Sequence, residues 1–173
     1  MVASSGGDRA RTLRGIRICL GVLIAGLVIS GITAFPLREE LHLGARLLAG
    51  TPLPSVFPDA VGWVDRVAGA LADTGARYPF LAYGTDWLAF AHLVIAVVFL
   101  GPLIDPVRNI WVIQFGVIAC AGIVPLALIA GSIRGIPLGW QLIDMSFGIL
   151  GVIPVAIAWR LTRRLERMPL EAG

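Results

Sequence analysis

Hydrophobic residues in this chain fall into long, nearly unbroken runs, separated by short stretches dense in Arg, Pro and acidic residues. Four runs meet the roughly 17–25 residues that a helix needs to cross a hydrocarbon core of about 30 Å. They cover residues 18–35, 87–104, 110–130 and 139–159. Trp87, Trp111, Trp140 and Trp159 fall at their ends, at the level where indole rings settle among lipid headgroups.

Between the first and second runs, over residues 36–83, the pattern changes to a helical stripe. Leu37, Leu41, Gly44 and Leu48 share one face, with Arg38, Glu39 and Arg46 elsewhere. The Pro-rich GTPLPSVFPD ends that helix. Asp59 is expected to cap a second one, with Val61, Val64, Ala68 and Leu71 on its apolar side and Asp65, Arg66 and Asp73 on the other. The expected fold is an all-α polytopic membrane protein: four transmembrane helices in a bundle plus two short amphipathic outer helices, in a single membrane domain over residues 1–173.

Composition turns this pattern into a class. In 173 residues, 57% are hydrophobic and only 14% charged, outside the range of soluble domains. The net charge of +3 does not point to nucleic acid, because the basic residues cluster at span ends instead of forming one stripe. Lipid bilayer is therefore the expected partner, together with a membrane-protein partner or a second copy of the chain.

Arg9, Arg11, Arg14 and Arg17 precede the first span, Arg108 lies between the second and third, and Arg160, Arg163, Arg164 and Arg167 follow the fourth. In a four-span topology these places share one side, which the positive-inside rule makes the cytoplasm. All fourteen basic residues are Arg, a bias that fits GC-rich coding, so the expected location is a bacterial inner membrane with both termini cytoplasmic. The first run is longer than the 7–15 residues typical of a signal peptide, and Ile32 fits poorly in an A-x-A cleavage site. Gly21, Ala25, Gly26 and Ser30 recur at about four-residue spacing, as a retained helix packing closely on a neighbour requires.

Ionisable residues inside the spans carry the candidate chemistry. Asp86 follows Thr85, read as the N-cap of the second span, which places the carboxylate in the first turn against the positive end of the helix dipole. Asp105 and Pro106 are similarly read as the N-cap and first residue of the third span. His92 lies about 10 Å of helix rise beyond Thr85, where no cap is needed, on a face with Ala89, Ala96 and Phe99. Its plainest role is a neutral ring acting as interhelical glue. Asp144 lies about 7 Å inside the fourth span and shares a face with Gln141, Gly148 and Gly151. His92 and Arg134 are its candidate partners, whereas Asp86 and His92 point about 120° apart on their helix.

Gln114 reads as an interhelical hydrogen-bonding group, and Pro125 and Pro154 as helix kinks. Cys19 and Cys120 differ in depth by about 12 Å and are not expected to pair. No metal-ligand set, nucleotide-binding glycine pattern or nucleophile elbow is present, and neither a metal nor another cofactor is expected.

YPFLAYGTDWLAFAH, GPLIDPVRNIWVIQFGVIAC and RGIPLGWQLIDMSFGILGVIP resemble a group of uncharacterised small four-span bacterial integral membrane proteins. The resemblance covers residues 78–154 and implies a polytopic inner-membrane fold, with no activity to carry onto a residue.

Three functions are weighed. The first is a non-enzymatic protein whose outward-facing polar pocket, built from His92, Asp144 and Arg134 with Asp86 nearby, binds a small ligand or lipid headgroup or relays protons. The second is a structural or regulatory subunit of a larger membrane complex. The third is a membrane-embedded enzyme using His92 as acid or base and Asp144 to orient it.

Overall fold

A computed structural model of the chain describes residues 3–168, and every regular element among them is helical. Helix α1 covers Ala3–Ala34, α2 Leu37–Ala49, α3 Leu53–Val56 and α4 Pro58–Arg77. A 3₁₀ turn over Pro79–Leu81 leads into α5, Ala82–Val98; α6 covers Leu100–Ile104, α7 Ile110–Ile133 and α8 Leu138–Glu166. Four segments, Gly7–Ala34, Pro79–Ile104, Ile110–Ile133 and Leu138–Glu166, are long and apolar enough to cross a membrane. Even α7, with 24 residues, rises about 36 Å and exceeds the hydrocarbon thickness. Only 11–22% of each apolar stretch is buried inside the protein. Outward-facing Ile18, Val22, Ile118, Leu126, Leu142 and Leu150 therefore have acyl chains as their natural solvent.

The helix starts differ from the sequence expectation. Thr85 and Asp86 lie inside α5, which begins at Ala82, so Thr85 is not its N-cap. Asp105 closes α6 as its C-cap, and α7 starts five residues later behind Asn109. Asp105 does cap a turn, since its Oδ1 accepts the Arg108 backbone N–H at 3.1 Å, but that turn does not propagate into a helix. The N-cap of α4 is Phe57, with no side-chain capping bond; Asp59 sits in the first turn, where its charge meets the helix dipole.

The residues form two compact units, 1–26 with 95–173, and 27–94. The first is organised by the antiparallel α7/α8 hairpin. At its turn Gly135 adopts φ +67°. The Gly135 N–H reaches the Ser132 carbonyl at 3.3 Å and the Ile136 N–H reaches Gly131 at 2.9 Å. This pair of bonds satisfies the last carbonyls of α7 and needs a residue that tolerates left-handed backbone.

Buried positions on α8 include Gln141, Met145, Gly148, Val155, Ala158, Thr162 and Leu165. Their steps of three, four and, from Gly148 to Val155, seven residues make a heptad-like seam. Gly116 accommodates Phe99 and Val155, and Gly148 accommodates the Cys120 carbonyl and Ile123, so small residues let the backbones approach. In α1, Gly15 lies against Leu161 of α8. That contact puts the basic beginning of α1 beside the basic end of α8, the same end as Arg108 at the start of α7.

In the unit spanning 27–94, α2 and α4 pack together. Val64 and Ala68 are buried, Val61 and Leu71 half-buried, and Asp65, Arg66 and Asp73 exposed, as the stripe predicts. Gly31, at the end of α1, sits against Leu93 and the Ala89 carbonyl of α5.

Candidate functional site

Asp86 and His92 belong to the unit 27–94, Asp144 and Arg134 to the other. The expected His92–Asp144 pair thus takes one member from each.

His92 is half-buried on α5, and its Nδ1 lies 2.8 Å from the carbonyl oxygen of Leu88, one turn earlier. A carbonyl can only accept, so Nδ1 carries the hydrogen and donates it. The ring is thereby pinned along its own helix.

Asp86 is half-buried and lines two grooves. The larger, of about 300 Å³, runs between α2, α4 and the start of α5. Its apolar lining includes Phe35, Leu71 and Leu81, and its polar side chains include Arg38, Glu39, Thr74, Thr85 and Asp86. Gly75 helps to form it: the Arg38 guanidinium passes 3.6 Å from where a Cβ on that residue would stand. The smaller groove, of about 240 Å³, is formed with Phe35, Tyr83, Trp87 and Phe90. Its aromatic rings stack edge-to-face, with centroids 5.9 Å apart for Tyr83–Trp87 and 6.2 Å for Trp87–Phe90. Asp86 therefore stands between a mixed polar groove and an aromatic wall.

Arg134 and Asp144 meet at a third groove, of about 260 Å³, whose remaining lining is apolar residues of α7 and the turn, among them Ile123, Ala130 and Ile136. Among the described residues neither Asp86 nor Asp144 has a cationic partner within 4 Å. Gln141, beside this groove in sequence, is buried; its Nε2 donates to the Ile136 carbonyl at 2.8 Å, and its Oε1 has no partner among the described residues.

Among the described residues no three His, Cys, Asp or Glu side chains converge as metal ligands. Cys19 and Cys120 are both free thiols.

Arg38 and Thr74 were not legible as site residues, because each reads as the solvated side of an amphipathic helix. Only the packing of α2 on α4 turns them toward a common groove.

Protein-family models, curated proteins and solved structures yield no match to this chain.

Proposed function

We propose that the protein is a multi-pass bacterial inner-membrane protein, with both termini cytoplasmic, that binds a small zwitterionic amphiphile at its outer surface. The groove between α2, α4 and α5 carries this reading, because an apolar lining meets one cation and two carboxylates there, Arg38 with Glu39 and Asp86. A volume of about 300 Å³ is at the small end of ligand sites and suits a headgroup with the first part of its chain. An anionic phosphate would face Arg38, an ammonium group would face Asp86 and Glu39, and the chain would follow Leu71, Leu81 and Phe35. The basic residues gathered at one end of the α1/α7/α8 unit support the cytoplasmic assignment of the termini.

The test is native mass spectrometry of the full chain released from micelles containing phosphatidylethanolamine or phosphatidylglycerol. The wild type should retain phosphatidylethanolamine preferentially, and Arg38→Gln, Asp86→Asn and the groove-filling Leu71→Trp should each reduce that retention while far-UV circular dichroism stays unchanged. Equal retention by wild type and all three variants would sink the proposal.

A further inference from the structure

We infer that the last turns of α8 form a binding site for the phosphate of an anionic phospholipid, independent of the groove of α2, α4 and α5. Trp159, Arg160, Arg163, Arg164 and Arg167 line one groove of about 340 Å³. At 100° per residue these five positions fall within an arc of about 140°. Thr162 and Leu165, interleaved with them in sequence, are 0% and 2% exposed. One face of the helix is therefore packed into the protein, while the other presents four guanidinium groups beside Trp159, with Glu166 at its edge.

Arginines three and four residues apart repel one another along a helix. Of these four arginines only Arg163 has a carboxylate partner among the described residues, Glu166 at 3.2 Å, and that pair is half exposed. Arg9, Arg14 and Arg17 of α1 add to the same field, since Gly15 rests on Leu161, while Arg11 is offset by Asp8 at 3.6 Å. An anion relieves this repulsion, and the planar fork of guanidinium matches two phosphate oxygens at once.

Trp159 supplies an independent observation. Its indole N–H is buried and has no acceptor among the described residues, although buried donors are almost always satisfied. An anionic oxygen held in the groove that Trp159 lines would provide that acceptor once the ring turns its N–H edge toward the groove. Trp159 also stands where the apolar part of α8 gives way to charge, the depth of lipid headgroups. A lipid phosphate reaches that depth with its chains already in the hydrocarbon, so the occupant is a phospholipid and not a soluble phosphate.

The experiment uses the purified full chain in dodecylmaltoside micelles titrated with phosphatidylglycerol or phosphatidylcholine, read by native mass spectrometry and tryptophan emission. Wild type should prefer phosphatidylglycerol. The triple variant Arg160→Gln/Arg164→Gln/Arg167→Gln should lose at least about tenfold in affinity, given that each basic side chain at an anionic surface contributes roughly a fivefold factor. The corresponding triple Lys variant keeps charge and topology but loses the bidentate fork, and should fall between the two. Trp159→Phe should remove the emission change and weaken binding about two- to threefold, the smaller effect expected from one hydrogen bond. Retention of phosphatidylethanolamine by the α2/α4/α5 groove should be unaffected in all of them.

Equal affinity for the two lipids overturns the inference. So does a result in which both the triple Lys variant and Trp159→Phe bind like wild type, which would reduce the site to diffuse charge. Full displacement of phosphatidylglycerol by equimolar glycerol phosphate would overturn the choice of a lipid as occupant.

Discussion

Replacing Gly148 with Ala places a methyl group where the seam between α7 and α8 has no room. A Cβ at that position would stand 2.6 Å from the Cys120 carbonyl oxygen and 2.9 Å from the Ile123 Cβ. The first is backbone and the second is fixed to it, so no rotamer change relieves the clash. Carbon-to-oxygen contacts settle at about 3.3–3.6 Å, so the helices must part by about 0.7–1 Å. A gap of that size forfeits a quarter to a half of the dispersion energy of the contacts it opens, and those at Gly116–Val155 and Gly131–Gln141 lie on the same seam.

Overpacking of this kind costs about 1–3 kcal/mol, while the better helix propensity of Ala returns up to about 1 kcal/mol. The net expectation is a loss of about 1–2 kcal/mol. Gly122→Ala is the matched control, because nothing lies within 4 Å of its would-be Cβ and only the propensity gain remains. Reversible unfolding in mixed micelles with increasing dodecyl sulfate, followed by tryptophan emission, should place the Gly148→Ala midpoint clearly below that of Gly122→Ala. Coincident midpoints would refute the reasoning, since the two substitutions are chemically identical and differ only in the space around them.

Gly31→Ala meets Leu93 at 2.9 Å and the Ala89 carbonyl at 3.0 Å and should cost about 1–2 kcal/mol in the same assay; adding Leu93→Ala should recover only part, because the carbonyl stays. Asn109→Ala removes two side-chain bonds, to the Gly101 carbonyl at 3.2 Å and the Asp105 carbonyl at 2.9 Å. It should speed amide exchange over residues 105–112 and cost about 1–2 kcal/mol. Arg77→Ala breaks a 2.9 Å pair with Asp73, but at 68% and 61% side-chain exposure the loss should stay below about 0.5 kcal/mol, leaving the melting temperature unchanged.

The spans were legible because hydrocarbon offers no partner to an unpaired amide, so a long apolar run has little choice but to be a helix. The faces of α4 and α8 were legible too, since Val64 and Ala68, or Gln141 and Gly148, recur at spacings only a helix brings together. Helix ends were less so. Thr85–Asp86 and Asp105–Pro106 both look like starts, yet only the second caps anything, and it caps a turn. Capping residues report that a hydrogen bond is available locally; whether a helix follows depends on what the preceding residues pack against. The four candidate side chains divided in the same way. Arg134 and Asp144 share a groove because the α7/α8 turn is short, a property written in GSIRGIP. The groove containing Asp86 needed the packing of α2 on α4, for which no single residue is a signal.

The hydrogen bond from His92 to Leu88 leaves one ring nitrogen, Nε2, uncommitted to that contact. In the neutral ring that nitrogen offers only a lone pair, so whatever meets it must bring the hydrogen. Because Nδ1 is held by the Leu88 carbonyl, the tautomer and the place of that lone pair are fixed together. A side chain fastened at one end in this way is an acceptor set at one height on the helix.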